Sequence, residues 1–268
     1  MKKIPVLLII LIATFLSYSC MQEITLDIPN SGPLLVVQGE ISTETDSSFI
    51  NLTQTVSYYS SDPIPTVDNA IVSVNGIPFK SKGNGIYKAD APFAGVINSI
   101  YHLNIVYKGT TYTASSQLDP MFNIDSVGDV YTSNGNGFRN RTGYLLSMWW
   151  TDTRPSGKYT YIRYGRNQTD FSQDSFFRNI ILLDNAQTKL NAQISYQLPR
   201  LYQPGDSVFA ILKSCDHNMY YFLQSYQMQN SNAPGPFQIP PANLPTNITG
   251  GAVGYFTACD VRRFRKGL

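Results

Sequence analysis

The strongest constraint on the fold of this 268-residue chain is a series of short strand-like runs separated by turn signals. The clearest signal is Asn75-Gly76, which separates two apolar runs in AIVSVNGIPFKS. Asn-Gly favours a two-residue β-hairpin because both of its positions tolerate a positive φ angle. The chain also holds 18 Tyr and 14 Phe, and only 14% of its residues are charged. This composition favours β-structure.

A second hairpin is predicted at Lys108-Gly109, after a strand that alternates in polarity. One face of that strand carries only large side chains: Tyr101, Leu103, Ile105 and Tyr107. Together with the buried-type run LLVVQGEI, six or seven short strands fit between residues 33 and 117. Regularly spaced short strands are typical of a sandwich. We therefore expect an Ig-like or transthyretin-like β-sandwich domain over 33–117.

The remaining part of the chain, 118–268, predicts a second β-rich domain with one helix. Its strand-like runs include GYLLSMWWTD, KYTYIRYGR, FFRNIILLD and DSVFAILKS. After Cys215 the apolar spacing changes to three and four residues, which indicates a helix over about 216–229. Asp216 is the expected N-cap residue of this helix. The predicted fold class is therefore mainly β, with a single C-terminal helix.

The N-terminus carries the pattern of an export signal. Lys2 and Lys3 precede a thirteen-residue apolar run, Ile4–Leu16. As a helix this run covers about 20 Å, which is shorter than the ~30 Å core of a bilayer. It fits the apolar region of a signal peptide over residues 1–19. Cys20 follows small residues, so we expect a lipoprotein with acyl chains such as palmitate on Cys20 and a tether over 20–32. The alternative is cleavage elsewhere, with Cys20 an ordinary thiol.

Two further cysteines, Cys215 and Cys259, leave two alternatives open. An exported compartment permits a disulfide between them, and closing a loop of this length would stabilise the fold by about 4 kcal/mol. Two buried free thiols are the other reading. Spacing alone does not decide between them.

Several stretches resemble one family: EITLDI after Cys20, the VVQGEI strand, GIYKAD, and the late NITGGAVGYF. The chain resembles domain-of-unknown-function family 4249, outer-membrane lipoproteins of Bacteroidota. The resemblance implies association with TonB-dependent transporters, and it brings no biochemical activity with it. In exported proteins of such bacteria, the Asp-Ser-Val triplets centred on Ser126 and Ser207 would be O-glycosylation sites.

The sequence offers little for catalysis. Its two histidines, His102 and His217, lie on a predicted strand and at the predicted helix start, and each is expected to be a solvated side chain. No nucleophile elbow, zinc-protease motif or phosphate-binding loop occurs. We expect no enzyme activity, no metal site and no cofactor. The 20 basic and 18 acidic residues nearly balance, which argues against a nucleic-acid partner.

Aromatic residues give the best binding signal. Trp149 lies next to Trp150 on a predicted strand, so one of the two faces outward. KYTYIRYGR places Tyr159, Tyr161 and Arg163 on one face of the next strand. Flat rings beside an arginine are suited to a glycan or a peptide. The alternative is that these side chains pack between sheets.

These features lead to one functional expectation. The protein is expected to be a lipid-anchored, non-catalytic binding subunit that is accessory to a TonB-dependent transporter of the outer membrane. Whether it faces the periplasm or the cell surface is left open. The alternative is a free-standing structural or adhesive surface lipoprotein without a small-molecule ligand.

Overall fold

The computed structural model describes residues 32–57, 60–134, 141–166, 179–231 and 243–268. Cys20 and the tether over 20–32 therefore lie almost wholly outside the described residues. The chain from Pro33 to Leu268 forms one compact unit. The described residues are mainly β-strand with one α-helix, which confirms the predicted fold class.

Among the described residues, seven strands precede residue 118 and eight follow it. The first group is β1 (Leu35–Ser42), β2 (Phe49–Gln54), β3 (Ile71–Val74), β4 (Ile77–Ser81), β5 (Ile86–Ala89), β6 (Ile100–Tyr107) and β7 (Thr110–Gln117). The second group is β8 (Ser126–Asn134), β9 (Arg141–Asp152), β10 (Tyr159–Arg166), β11 (Ile180–Asp184), β12 (Ala192–Tyr202), β13 (Ser207–Cys215), β14 (Val253–Cys259) and β15 (Val261–Gly267). The helix α1 (His217–Ser231) lies between β13 and β14.

The first seven strands and β14 form one eight-stranded sheet in the order β14-β1-β2-β5-β4-β3-β6-β7. The sheet curls until its edge strands β14 and β7 meet, where Ala258 N donates to Ser116 Oγ at 2.9 Å. The result is close to a barrel whose inward side chains form a single apolar core. Its strand β14 comes from beyond residue 118, so the sheet extends past the predicted boundary between 117 and 118.

Local turn chemistry explains the hairpins of this sheet. Asn75 and Gly76 adopt φ angles of 49° and 78° between β3 and β4. Lys108 and Gly109 adopt 50° and 78° between β6 and β7. Positive φ at both turn positions matches the right-handed twist of the flanking strands. Both predicted hairpins are confirmed, and so is the buried face of β6.

Apart from β14, the second group of strands forms two stacked sheets. A three-stranded sheet, β12-β9-β8, packs on one face of a four-stranded sheet, β11-β10-β13-β15, and their shared core includes Trp150, Ile162 and Leu212. The opposite face of the four-stranded sheet packs against α1 and β14, around Tyr161, Leu223 and Tyr255. The four-stranded sheet is therefore covered on both sides.

The helix α1 begins where the sequence predicts. Asp216 Oδ1 accepts a hydrogen bond from the Met219 backbone N–H at 2.9 Å, so Asp216 caps the first turn. Burial raises the pKa of the Asp216 carboxyl, although hydrogen bonds from Ser116 and from the first-turn amides oppose that shift. Met219 and Leu223 then point into the core, and they hold the first turns of α1 against the four-stranded sheet.

Candidate functional site: an aromatic cluster beside a cleft

Four partly exposed rings meet where β10 begins and α1 begins; we call them the aromatic cluster. The ring centroid of Tyr159 lies 5.5 Å from that of His217 and 4.7 Å from that of Tyr220. The His217 ring lies 4.5 Å from that of Tyr221. His217, Tyr220 and Tyr221 stand at positions i, i+3 and i+4, which share one side of a helix. The capped first turn thus brings three rings to Tyr159.

The aromatic cluster presents its polar groups outward. Tyr221 is 49% exposed, His217 is exposed, and the other two rings are half-buried. Within the described residues, none of the three hydroxyl groups nor the imidazole makes a hydrogen bond. Burial, and next the negative charge of Asp184, raise the pKa of Tyr159 and of Tyr220. Asp184 is exposed and pairs directly with Tyr159 across β10 and β11.

Asp184 also stands at the rim of a small cleft, about 80 Å³ in volume, between the two stacked sheets. The apolar wall of the cleft comes from both sheets: Phe122, Trp150, Leu183, Ile194 and Tyr196. Its polar wall consists of Asp152, Arg154, Asp184, Asn185 and Thr188. The lining is mixed, but small-molecule sites usually have volumes of about 300–1,000 Å³, so this cleft is too small to be one by itself.

Part of the polar wall of the cleft is a hydrogen-bond network around Arg154. Arg154 donates from Nε to Asp152 Oδ1 at 2.9 Å and from Nη2 to Oδ2 at 2.8 Å. Its Nη1 donates to Thr160 Oγ1 at 3.0 Å, and its guanidinium lies 4.9 Å from the centre of the Phe122 ring. Both charged side chains are buried. This bidentate pair fixes the shape of the cleft and leaves no free cation in its wall.

Two of the predicted ligand-binding residues lie in the interior of the protein. Tyr161 is 0% exposed and Arg163 only 9%, so a ligand-stacking role is wrong for both. The face of β10 that carries them is covered by α1 and β14. Only Tyr159, at the open end of that face, reaches the surface. The alternative of packing between layers, which the sequence left open, describes Tyr161 and Arg163.

Trp149 lies on the outer face of the three-stranded sheet and is half-buried. A Cβ atom added to Gly128 would lie 2.9 Å from its ring, so the indole rests on the backbone of β8. Trp149 is remote in topology from β10 and α1 and is not part of the aromatic cluster. Trp150 faces the core and stacks on Phe122, with ring centroids 4.6 Å apart.

Sequence reasoning missed the ring contribution of α1. His217 was expected as a solvated first-turn histidine, and it is exposed, but it also contacts Tyr159 and Tyr221. The available signal was the run His217, Tyr220, Tyr221 in the first turn of a predicted helix, next to a strand that begins with Tyr159. His102 is exposed on β6, as expected.

A buried ion pair joins the eight-stranded sheet to the four-stranded sheet. Lys213 Nζ on β13 lies 2.6 and 2.7 Å from the two carboxylate oxygens of Glu40 on β1. The Tyr161 hydroxyl donates to Glu40 Oε2 at 3.4 Å. Burial and the adjacent Glu40 charge raise the pKa of Tyr161 well above its ordinary value, so the hydroxyl keeps its proton. This group is enclosed by protein and serves the fold.

Cys215 and Cys259 are free, buried thiols in the structure, which is the second of the two alternatives that the sequence left open. Cys215 packs under α1 beside Met219, and Cys259 lies in β14 within electrostatic range of both Glu40 and Cys215. Burial raises the pKa of both thiols well above the ordinary value. At neutral pH both stay protonated, which makes them poor nucleophiles.

The two predicted glycosylation sites differ in accessibility. Ser126 is exposed at the start of β8. Ser207 is half-buried, and its hydroxyl accepts a hydrogen bond from Arg265 Nε at 2.8 Å. Both sites stay predictions. In the ranges that the structure describes, no three His, Cys, Asp or Glu side chains group as metal ligands would.

Comparison with known proteins adds a family. A family model described as "Domain of unknown function (DUF4249)" matches residues 21–265. No curated protein and no solved structure matches the chain. Among the helices of the described residues, none has the length and apolar character needed to cross a membrane.

Proposed function

The chain belongs to the family described as domain of unknown function (DUF4249), and we propose that it is a lipid-anchored, non-catalytic binding subunit accessory to a TonB-dependent transporter of the outer membrane. The observation that carries the proposal is the position of Cys20. It ends a basic-then-apolar leader, and the family domain begins at the next residue, 21. A processed lipoprotein would begin in the same way, with acylated Cys20 followed directly by its domain.

The physical role of the anchor follows from acyl-chain burial. Each buried methylene contributes about 0.8 kcal/mol, so a single chain binds a bilayer only marginally and two chains or more bind it stably. A lipidated Cys20 therefore keeps the domain at the membrane surface without a protein segment that crosses it. Such a domain meets an integral transporter in two dimensions, which raises its effective concentration near that partner.

The binding role is supported by the aromatic cluster, whose Tyr159 pairs in register with the exposed Asp184. The non-catalytic role is supported by the chemistry of the buried groups. Asp152 is held by Arg154, Glu40 by Lys213, and the two thiols are buried. A general acid, base or nucleophile has to reach a substrate, and none of these groups does so.

The anchor is tested by replacing Cys20 with alanine in the full chain. We expect the variant to incorporate no radiolabelled palmitate, because it lacks the acceptor thiol, and to move from the membrane pellet to the soluble fraction. Ser19→Ala is the matched control and should behave as the wild type. Palmitate labelling that persists in the Cys20→Ala protein would remove the anchor assignment.

The transporter partnership is tested by affinity purification. A C-terminally tagged chain, extracted from native membranes in mild detergent, should co-purify with a TonB-dependent transporter in near-equal amounts by quantitative mass spectrometry. A chain recovered alone, under conditions that keep other outer-membrane complexes together, would contradict the partnership. It would instead favour a free-standing structural or adhesive surface lipoprotein.

A further inference from the structure

We infer that the aromatic cluster, Tyr159, His217, Tyr220 and Tyr221, is a stacking platform for a neutral saccharide, with Asp184 as a hydrogen-bond acceptor at its edge. The inference gives a ligand class to the proposed binding role and rests on that role, but it does not depend on the transporter partnership. Its first support is the shape of the cluster. The ring centroids follow one another at 4.5–5.5 Å and the ring planes are inclined to one another by 38–66°, so the cluster is a stepped surface with the length of one or two sugar rings.

The chemistry of the cluster matches the two kinds of surface that a sugar presents. A pyranose ring offers C–H groups on its faces and hydroxyl groups around its edge. An aromatic ring attracts the C–H face, while the polar tips of tyrosine and histidine reach the hydroxyls. Because the four side chains make no hydrogen bonds within the described residues, their polar tips are left to water or to a ligand.

The charge around the cluster favours a neutral ligand. Asp184 is the acidic group closest in register to Tyr159, and it would repel an anion. Two cations of neighbouring segments are already paired: Lys158 Nζ lies 2.7 Å from Asp119 Oδ1, and Arg154 is held by Asp152. A carboxylate accepts hydrogen bonds from two vicinal hydroxyls, so Asp184 suits a sugar edge and disfavours acidic glycans.

The size of the cluster argues against a protein as its main occupant. A whole aromatic side chain has about 150–250 Å² of surface, so four partly buried ones expose on the order of 300 Å². A stable protein interface needs about 800 Å² on each partner. The exposed rings fit a few sugar units instead.

The test uses the purified full-length protein in detergent on an array of linear hexasaccharides. The neutral probes are β-glucan, α-glucan, xylan and mannan fragments, and the acidic probe is oligogalacturonate. We expect at least one neutral hexasaccharide to bind and oligogalacturonate to bind more weakly. In calorimetric titrations with that hexasaccharide, Tyr221→Ala and Tyr159→Ala should each raise Kd at least tenfold. Tyr221→Phe, which keeps the ring, should raise it less than threefold.

The matched control is Tyr131→Ala, because Tyr131 is 57% exposed on β8, away from the cluster, and its removal should leave Kd unchanged. Tyr221 is on the surface, so its alanine variant remains informative if Tyr159→Ala lowers Tm. No binding to any neutral probe, preferred binding of oligogalacturonate, or an unchanged Kd in Tyr221→Ala would each overturn the inference. Co-purification of the transporter with Tyr221→Ala shows whether the partnership survives such a result.

Discussion

Replacing Lys213 with methionine is expected to lower the free energy of unfolding by about 3–5 kcal/mol, because it leaves a buried carboxylate without its counter-ion. The Lys213 and Glu40 side chains are 9% and 5% exposed, so water cannot replace the lost ammonium group. Methionine keeps the length and apolar stem of lysine and creates no large cavity. The Tyr161 hydroxyl, 3.4 Å from Glu40 Oε2, gives only a weak hydrogen bond.

The measurement is urea unfolding at pH 7, followed by the fluorescence of Trp149 and Trp150, which both lie on β9, and by circular dichroism, which reports on all the sheets. Lys80→Met is the matched control, because Lys80 pairs with Asp90 while 66% exposed, and exposed pairs contribute about 0–1 kcal/mol. The double variant Glu40→Gln, Lys213→Met removes both charges and should recover most of the lost stability. A single Lys213→Met variant as stable as Lys80→Met would contradict the argument.

Because the ion pair joins two sheets, the same experiment also tests whether those sheets unfold together. Glu40 belongs to the eight-stranded sheet and Lys213 to the four-stranded sheet. If the two sheets unfold together, the variant should shift a single transition to lower urea. If the segment 33–117 unfolds by itself, as its prediction as a separate domain implies, two transitions should separate in the variant. The shape of the curve therefore tests the domain boundary.

Local features of this fold could be predicted from the sequence because their causes are local. Asn75-Gly76 is a hairpin turn whatever surrounds it, since its two residues accept a positive φ. Asp216 caps α1 because its side chain reaches the Met219 amide three residues later. The inward face of β6 follows from strict alternation. Each of these needs only a few neighbouring residues.

The pairing of β14 with β1 could not be predicted in the same way. Val36 pairs with Val253 and Ser42 with Cys259 in a parallel ladder, across more than 200 residues of chain. Parallel strands are not joined by a tight turn, so no turn motif in the sequence indicates which strands pair. For the same reason, the sequence around Glu40 and the sequence around Lys213 do not predict that the two residues form an ion pair. The predicted segment 33–117 accordingly lacked the strand that completes its sheet.

In the candidate site too, local sequence predicts some features, whereas others depend on contacts between distant elements. Alternation put Tyr159, Tyr161 and Arg163 on one face of β10, and the structure keeps them there. Alternation does not say what covers that face. The helix α1 and strand β14 bury Tyr161 and Arg163 and leave Tyr159 at the open end. The helix then supplies His217, Tyr220 and Tyr221, so the site is made by a contact between elements.

Replacing Gly254 with alanine is the second change with a large expected effect. Gly254 lies on β14 opposite Val37 of β1. It has a φ angle of +108°, and an added Cβ atom would lie 2.0 Å from the Val37 carbonyl oxygen. Backbone strain of this kind costs about 1–3 kcal/mol. The clash is with backbone, so no side-chain rotation relieves it and the ladder itself has to open.

Gly251→Ala separates the two causes. Gly251 has a φ angle of +85°, and nothing lies within 4 Å of an added Cβ atom. The control therefore carries the backbone strain without the clash, and about 1–2 kcal/mol of lost stability is expected. Gly254→Ala should lose at least twice as much in urea unfolding. Amide exchange should also become faster along β1, whose free edge β14 covers.

Equal losses of stability in Gly251→Ala and Gly254→Ala would mean that β14 can shift away from β1 at no cost in free energy. That result would contradict a tightly paired β1–β14 ladder. Faster exchange in β1 without a change in the four-stranded sheet would mean that β14 is a removable edge. Faster exchange in both sheets is the expected result. The chain passes from Cys259 on β14 directly into β15, where Ser214 N donates to Asp260 O at 3.0 Å. Displacement of β14 is therefore expected to disturb the four-stranded sheet, which also carries Tyr159.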